Sequence, residues 1–234
     1  MALAEATKPD ADGFVVLADY QTAGRGRQGQ SWLSPRGASV LCSVLLIRTD
    51  PNSPEAKMSI GGRLTLIAAV ASCEAIRQAA DLTPTLKWPN DLRISGRKLG
   101  GILVESRPIS DMRRAWVIGI GINCLQHDGH FEPEIQDTAI SLEQAASHGV
   151  DRVIVARELL RSLDRWLTEP LPDDDKIHTK WLHYADPIGQ RVHLSKGGQE
   201  YVGRTVDIDP GGGLIVQLDD GRQEWFDPMI TTLL

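Results

Sequence analysis

The sequence predicts an α+β fold, with one larger domain of strands and helices followed by a small all-β domain. Three observations support this prediction. Strand and helix patterns are mixed along the chain without strict alternation, which argues against a doubly wound sheet. One apolar repeat with helical spacing extends from about Ser53 to Ala80. Near the carboxyl end, short alternating segments are joined by the turns "KGG", "DPGGG" and "DDG", which are typical of hairpins.

The composition is that of a folded protein with an acidic balance. Of 234 residues, 41% are hydrophobic and 24% are charged, and the formal net charge is −6. This charge argues against nucleic-acid binding over the whole surface, so any cationic function must be local. Cys42, Cys73 and Cys124 are odd in number and lack CxxC spacing, which favours a reducing cytoplasm over a disulfide framework or a zinc site. Neither a signal peptide nor a membrane span is predicted.

The first half of the chain predicts a sheet interrupted by one long helix. "GFVVLADY" (13–20) and "ASVLCSVLLI" (38–47) are rich in β-branched residues and predict two largely buried strands. Ser53 and Pro54 are start signals for the helix that ends near Asp81. "TLKW", "LRI", "KLGGILVES" and "AWVIGIGINC" then predict a meander of strands separated by turns.

The second half predicts helices and then a separate β domain. "DRVIVARELLRSLDRWL" (151–167) has an apolar side and a plausible N-cap at Asp151, and "DDDKIHTKWLHYA" predicts a third helix. "QRVHLS", "EYVGRTVDI", "LIVQL" and "RQEWF" predict four short strands. We therefore divide the chain into residues 1–186 and a small C-terminal domain of residues 187–234.

The first motif is "QTAGRGRQGQSW" (21–32), a cationic loop between two predicted strands. Glycines at 24, 26 and 29 let backbone N–H groups approach a ligand, and Arg25, Arg27 and Arg36 supply charge for a phosphate or carboxylate. The pattern is neither a Walker motif nor GxGxxG. It predicts an anion-binding loop, and a solvated turn is the alternative interpretation.

The second motif is "KWPNDLRISGRKLGGILVE" (87–105). Lys87 and Lys98 stand where strands meet turns, and "PND" places an amide and a carboxylate beside them, which suits a nucleotide with magnesium. Ordinary polar hairpin turns are the alternative. Gly100 and Gly101 argue against it, because glycine inside a strand is unfavourable unless a backbone or ligand approaches closely.

The third motif is "GIGIN" (119–123). Gly119 and Gly121 alternate in an apolar strand and leave one face without side chains. Asn123 follows and can both donate and accept hydrogen bonds to a flat ring such as adenine. A tightly packed core strand is the alternative.

Together the three motifs resemble those of the biotin protein ligase family. "GRGRQGQSW" followed by a strand, "KWPND", "RKLGGILVE" and "GIGIN" stand in the family's order and spacing, and the resemblance extends from about residue 13 to the C-terminus. Lipoate ligases and lipoyl/octanoyl transferases share the catalytic fold but lack the combination of "GRGR" with "KWPND". The resemblance implies a mixed-sheet, class II synthetase-like catalytic domain and an SH3-like β-barrel domain.

The resemblance also implies a two-step, ATP- and magnesium-dependent reaction in the cytoplasm. The biotin carboxylate attacks the α-phosphate of ATP, which gives biotinyl-5'-AMP and pyrophosphate. A lysine of a biotin carboxyl carrier protein, part of a biotin-dependent carboxylase, then attacks the mixed anhydride. Preorganised cations suit both steps, since each moves negative charge on carboxylate and phosphate oxygens.

Site residues follow from the resemblance, position by position. The expected catalytic residues are Lys98, which bridges the biotin carboxylate and the α-phosphate, Arg27 and Lys87. Contacts to biotin or the adenylate are expected from Gln21, Arg25, Gly26, Arg27, Trp32, Lys98, Gly100 and Gly101. Contacts to the nucleotide are expected from Lys87, Asn90, Asp91 and Asn123, with Asp91 as the magnesium ligand and Asn123 at adenine. Trp32 is expected to cover the adenylate, and the loop to be mobile until the adenylate orders it.

The sequence departs from the family at its start. Members have a strand and a Ser/Thr-Thr-Asn-like turn before the first helix, which line the biotin pocket, whereas "MALAEA" already resembles the end of that helix. We expect that the true start lies upstream of Met1 or that the chain is shortened. The N-terminal helix-turn-helix of some relatives is also missing, so DNA binding is not expected.

Other interpretations remain open at this stage. The "GRGR" loop could contact nucleic acid in a binding module, although the acidic balance argues against it. His127 and His130 in "HDGH" could hold a metal, but two histidines in a polar loop are more often exposed to solvent. A truncated, non-catalytic binder of biotin or biotinyl-AMP is a third alternative. The sequence is compatible with a monomer or a homodimer.

Overall fold

Two antiparallel sheets and a layer of helices build the protein, which confirms the predicted α+β class. The computed structural model describes residues 2–6, 8, 11–51, 53–168 and 170–234. The helices are α1 (Ala2–Glu5), α2 (Pro54–Ala80), α3 (Leu142–Ala145), α4 (Arg152–Trp166) and α5 (Asp174–Tyr184). The strands are β1 (Val15–Ala18), β2 (Ser39–Thr49), β3 (Thr85–Lys87), β4 (Asp91–Ile94), β5 (Arg97–Ser110), β6 (Arg113–Asn123), β7 (Arg191–Lys196), β8 (Gln199–Ile208), β9 (Leu214–Leu218), β10 (Gln223–Phe226) and β11 (Thr231–Leu233).

The first sheet has six strands in the order β1-β2-β6-β5-β4-β3. Every pair of neighbouring strands in it is antiparallel, and parallel pairing among the described residues is limited to two isolated bridges, Leu86 with Ala185 and Lys98 with Ala139. The long strands β2, β5 and β6 form its centre. Because side chains alternate between faces, β6 turns Trp116, Ile118, Ile120 and Ile122 toward the helices and Val117, Gly119 and Gly121 toward the opposite face.

Helices α2, α4 and α5 cover one face of this sheet. The Oγ of Ser53 caps α2 by accepting the N–H of Ala56 at 3.2 Å, and Asp81 ends the helix in the left-handed conformation, with φ 51°. The segment Ser59–Ala80 is long and apolar enough to cross a membrane, but 67% of that window is buried inside the fold. Burial against the sheet and α4 accounts for its apolar character.

The opposite face of the sheet carries a smaller apolar cluster. Ala2 and Ala6 of the α1 region pack there with Leu45, Ile47 and Val117. The segment that resembled a helix end is therefore helical at Ala2–Glu5. It places Ala2 and Leu3 at one end of the candidate site described below.

The second sheet has the strand order β10-β9-β8-β7-β11, with hairpin turns at the predicted glycine-rich segments. Its backbone at Gly211 and Gly212 contacts the larger unit. The Trp88 Nε1 donates to the carbonyl oxygen of Gly212 at 2.8 Å, and a methyl group on Gly62 would overlap the carbonyl of Gly211. Glycine is required at Gly62 because two main chains touch there. The domain limit between residues 186 and 187 stays a prediction.

Candidate active site

A cavity of about 420 Å³ lies on the face of the first sheet that the long helices leave open. Its floor is the centre of β2, β5 and β6, where Gly101, Gly119 and Gly121 present no side chains. The loop of residues 21–32 covers it, and Thr232 and Leu233 of the second sheet close one side. The bare floor gives the cavity room for a flat or elongated ligand.

Ten of the twelve predicted site residues line this cavity. They are Gln21, Arg25, Gly26, Arg27, Trp32, Lys87, Asn90, Asp91, Lys98 and Gly101. They come from the first and second motifs, up to 80 positions apart, and the order of the strands in the sheet brings them together. The roles assigned to them stay predictions.

The loop of residues 21–32 is a small hairpin in this structure. Gly26 N–H donates to the carbonyl of Gln30 at 2.7 Å, and Trp32 N–H donates to the carbonyl of Gly24 at 3.0 Å. The side chain of Arg25 pairs with Glu105 at 2.7 Å and is largely exposed. Arg36, also named as a source of charge, instead lies over the ring of Tyr20, 5.3 Å from its centroid.

Arg27 is the loop arginine most engaged with the rest of the protein. Its Nη2 donates to the carbonyl oxygens of Pro228 and, at 3.4 Å, Thr231 in the second sheet unit, and its Nη1 donates to Asn90 Oδ1 at 3.4 Å. Burial lowers the pKa of the Arg27 guanidinium, while the charges of Asp91 and Asp227 act in the opposite direction. The guanidinium therefore carries its charge in a partly desolvated position at the edge of the cavity, where charge-assisted bonds are strong.

Lys98 and Asp91 form the central charged pair. The Lys98 Nζ lies 2.6 Å from Asp91 Oδ1, and 42% of the lysine side chain is exposed, so its ammonium is accessible from the cavity. Asn90 is fixed beside them, because its Nδ2 donates to the carbonyl of Ile102 at 2.8 Å and its own carbonyl accepts the Ile102 N–H at 3.0 Å. The turn thus holds an amide oxygen and a carboxylate next to the lysine.

Lys87 supplies a further cation at the same end of the cavity. Burial lowers the pKa of the Lys87 ammonium, and the neighbouring charges of Arg93 and Lys98 lower it further, while Asp91 and Asp186 raise it. Within the described ranges the Lys87 side chain has no hydrogen bond or ion pair. A polyanion would relieve the repulsion among these cations.

Trp32 lies directly on the glycine floor. A methyl group added to Gly121 would lie 2.7 Å from Trp32 Cε2, and one added to Gly101 would lie 3.8 Å from Cζ3. The Trp32 Nε1 is buried without a partner in the described part of the chain. Glycine at 121 is therefore what allows the indole to stack on β6 and form a wall of the cavity.

Two predicted residues do not reach the cavity. Gly100 lies on the helix side of β5, where an added methyl group would meet Gly121 O at 2.5 Å and Leu92 Cδ1 at 3.1 Å. Asn123 is buried; its Nδ2 donates to the carbonyl of Ile140 at 3.2 Å and its Oδ1 accepts from Gln126 Nε2 at 3.0 Å. Gly100 is required for strand packing, and the amide of Asn123 serves internal hydrogen bonds in this structure.

Several lining residues were not predicted. They include Ala2, Leu3, Leu41, Ser43, Val117, Thr232 and Leu233. The alternation of β2 could have indicated Leu41 and Ser43, because both stand on the face opposite α2. No local signal marks Thr232 or Leu233, since their position depends on how the second sheet packs against the first.

The alternative metal site is not supported by the geometry. The rings of His127 and His130 stack with centroids 3.6 Å apart, and across the residues that the structure describes no group of three His, Cys, Asp or Glu side chains could hold a metal ion. In the second sheet, the polar and aromatic side chains of Arg191, Tyr201, Arg204 and Trp225 lie outside the lining of the cavity.

Known proteins share both parts of the chain. The sequence profile of the Biotin/lipoate A/B protein ligase family matches residues 6–123, and that of the Biotin protein ligase C terminal domain matches residues 188–227. The biotin--[acetyl-CoA-carboxylase] ligase of Mycobacterium tuberculosis is 32% identical over 218 residues, which cover 91% of this chain and 76% of that protein. The bifunctional ligase/repressor BirA of Bacillus subtilis is 35% identical over 211 residues, or 90% of this chain, and the match spans 63% of that relative's length.

Solved structures agree with these sequence matches. The biotin protein ligase from Aquifex aeolicus in complex with biotin and ATP is 26% identical, with a TM-score of 0.76, and the match covers 100% of this chain and 94% of that one. The similarity therefore extends over both sheets. Sequence, fold and the arrangement of motifs show that the chain belongs to the biotin/lipoate A/B protein ligase family.

Proposed function

We propose that the protein is an ATP-dependent biotin protein ligase. It activates biotin as biotinyl-5'-AMP and transfers the biotinyl group to a lysine of a biotin carboxyl carrier protein. The observation that carries this proposal is the gathering of Arg27, Lys87 and Lys98 around one cavity with a glycine floor, in a chain of this family. The Aquifex aeolicus relative, solved with biotin and ATP, supports the same pair of small-molecule substrates.

In the first step the biotin carboxylate oxygen attacks the α-phosphorus, and the bond to the bridging oxygen of pyrophosphate breaks. Lys98 and Arg27 hold the carboxylate and the α-phosphate together, which overcomes the repulsion between two anions. Both cations are positioned before the ligands arrive, Lys98 by Asp91 and Arg27 by the carbonyls of Pro228 and Thr231. Preorganised charge of this kind lowers the barrier without a proton donor.

Magnesium fits this end of the cavity as a partner of the nucleotide. Asp91 supplies a carboxylate and Asn90 an amide oxygen, and Mg²⁺ is commonly held by one or two carboxylates plus substrate phosphates. When bound with ATP, the ion neutralises charge on the phosphate oxygens. The ion pair with Lys98 fixes the position of the Asp91 carboxylate.

In the second step a carrier lysine attacks the acyl carbon, and AMP leaves. The reactive anhydride must be kept from water until the carrier arrives, and the loop of residues 21–32 with the Trp32 indole provides the cover. Contacts of Gln21, Arg25 and Gly26 to biotin, and of Asn123 to adenine, remain proposals. For Asn123 such a contact requires its internal hydrogen bonds to be exchanged.

The cysteines support a reducing compartment, and we place the protein in the cytoplasm. Cys42, Cys73 and Cys124 are free thiols and all three are buried. Burial raises the pKa of Cys42 and of Cys124 to about 12, so these thiols stay neutral and unreactive. A carboxylase carrier subunit is the macromolecular partner, and the ligase acts as a monomer or homodimer without DNA.

The test is transfer of labelled biotin to a purified biotin carrier domain with ATP and magnesium. The chain is expected to form biotinyl-5'-AMP and to label the carrier, and Lys98→Ala is expected to lose both steps. Lys196→Ala is the matched control, because Lys196 is also a half-buried lysine in an ion pair but lies outside the cavity. Binding of biotin and biotinyl-5'-AMP without synthesis of the adenylate would refute the ligase and support the non-catalytic binder.

A further inference from the structure

We propose that Arg93 extends the active site beyond the cavity as a subsite for the polyphosphate of the nucleotide, that is, the β- and γ-phosphates and the pyrophosphate they become. The proposal rests on the proposed function, because it assigns the α-phosphate to Lys98. Arg93 lies within the second motif (87–105), but the sequence predicted no role for it. The structure places it beside the two cavity lysines.

The register of the strands puts these cations on one face. Arg93 stands opposite Thr85 of β3 and opposite Lys98 of β5, and Lys87 stands opposite Asp91. Directly opposed residues in antiparallel strands share a face. Leu92, the intervening residue, is fully buried on the helix side, so the Arg93 side chain leaves β4 on the same side as Asp91.

A β-bulge between β4 and β5 produces this arrangement. The pairing shifts between Leu92 and Arg93, so that Leu92 opposes Gly100 while Arg93 opposes Lys98, and Leu99 becomes the unpaired extra residue. Without the bulge Arg93 would oppose Leu99. A bulge commonly re-aims a side chain near an active site, and here it sets Lys98 next to Arg93.

The cations in this group outnumber their anionic partners. Within the part of the chain that the structure describes, Arg93 makes no hydrogen bond or ion pair, and its Nε is buried without a partner. Lys87 also makes no hydrogen bond or ion pair among the described residues, although the charges of Asp91 and Asp186 act on it, and Lys98 pairs with Asp91. Burial and, after it, the charge of Arg93 lower the pKa of the Lys87 ammonium, which agrees with the two side chains lying on the same face. Three cations held together with fewer carboxylates indicate a site for a polyanion.

The position of Arg93 suits the far end of a triphosphate. It lies two residues, or about 7 Å, along β4 from Asp91 at the cavity rim. The Lys98 Nζ reaches Asp91 at the cavity rim, so a phosphate chain that starts there and runs along β4 would reach the Arg93 guanidinium, whose planar fork binds phosphate oxygens in pairs. The subsite would therefore recognise the length of the phosphate chain and leave binding of AMP unaffected.

Direct binding tests this inference without turnover. Calorimetry with inorganic pyrophosphate and, separately, with AMP should show that Arg93→Gln weakens pyrophosphate binding about tenfold or more and changes AMP binding less than about twofold. Arg93→Lys should restore part of the affinity because it keeps the charge. The control is Arg97→Gln, a nearby arginine that opposes Ile94, so its side chain leaves β5 on the opposite face, and donates to the carbonyl of Gln136 at 2.9 Å. Arg97→Gln should change neither affinity.

The outcomes separate the subsite from the ligase. Arg93-dependent pyrophosphate binding by a chain that makes no biotinyl-5'-AMP would keep the subsite and refute the ligase. Normal adenylate synthesis with pyrophosphate affinity unchanged in Arg93→Gln would overturn the subsite and keep the ligase. Equal losses of pyrophosphate and AMP affinity in Arg93→Gln, with unchanged thermal unfolding, would also overturn it, because they would show a general loss of charge.

Discussion

Replacing Gly121 by alanine should displace Trp32 from the floor of the cavity. The added methyl group would lie 2.7 Å from Cε2 and 2.8 Å from Cζ2 of the indole. The strand cannot yield, because Gly121 is paired with Leu41 on one side and Gly101 on the other. The ring must therefore retreat by at least about 0.7 Å, the difference between 2.7 Å and the 3.4 Å at which ordinary contact begins.

Two opposing effects set the size of the change in stability. Crowding of this kind costs about 1–3 kcal/mol, and alanine in place of glycine in a strand returns about 0.5–1 kcal/mol through reduced chain entropy. We expect a net loss of about 1 kcal/mol in the free energy of unfolding. The Kd for biotinyl-5'-AMP should rise about tenfold, since each 1.4 kcal/mol of lost contact is a factor of ten.

Urea unfolding and calorimetry with biotinyl-5'-AMP measure the two effects. Gly119→Ala and Gly101→Ala are controls on the same face of the sheet, with nearest atoms at 3.4 Å and 3.8 Å, and should leave stability unchanged or slightly higher. Combined with Trp32→Ala, Gly121→Ala should add nothing, because the clash is gone. Additive losses of stability from the two substitutions, or equal losses of stability at all three glycines, would refute the contact between Gly121 and the Trp32 indole.

Three further predictions concern stability. Arg27→Met should lower the free energy of urea unfolding by about 1.5–3 kcal/mol through lost charged hydrogen bonds to the Pro228 and Thr231 carbonyls, and a loss no larger than that of exposed Arg25→Met would contradict this. Burial raises the pKa of Cys42 to about 12 in the folded chain, whereas it is near 9 in the unfolded chain. Between pH 9 and 12 the thiol is therefore deprotonated in the unfolded state and still protonated in the folded state, so the free energy of unfolding falls as the pH rises. Cys42→Ala should make that fall shallower by about 1.4 kcal/mol per pH unit between pH 9 and 11, and an unchanged slope would exclude the thiol. Gly62→Ala should separate the second sheet from α2 and lower the thermal midpoint by several degrees, whereas Gly149→Ala, in open space, should not.

Much of the fold was predictable because its elements carry local signals. The apolar repeat and the cap at Ser53 predicted α2, and Asp151 indeed caps α4 by accepting the N–H of Val153 at 2.7 Å. The glycine turns predicted the hairpins of the second sheet. Such features depend on neighbours within one turn or one strand, so the sequence alone reveals them.

The candidate site was less predictable, because parts of it depend on distant contacts. Because of the bulge at Leu99, Gly101 faces the cavity and Gly100 faces the helices. The residue types at this position do not predict a bulge. The side chain of Asn123 is held in the interior by hydrogen bonds with Ile140 and Gln126, which belong to loops beyond the motif. Pairing register and loop packing therefore decided which predicted residues reach the ligand space.

The backbone contact between Gly62 and Gly211 has a consequence for how the two sheet units assemble. Where main chain meets main chain, no side-chain rotamers exist that could accommodate a tilted or shifted approach. The contact between the two sheet units therefore has one geometry, and the hydrogen bond from Trp88 to Gly212 fixes its position. In this geometry the second sheet places the carbonyls of Pro228 and Thr231 beside the guanidinium of Arg27, which donates to both. Docking of the second sheet and fixing of the Arg27 guanidinium therefore occur together.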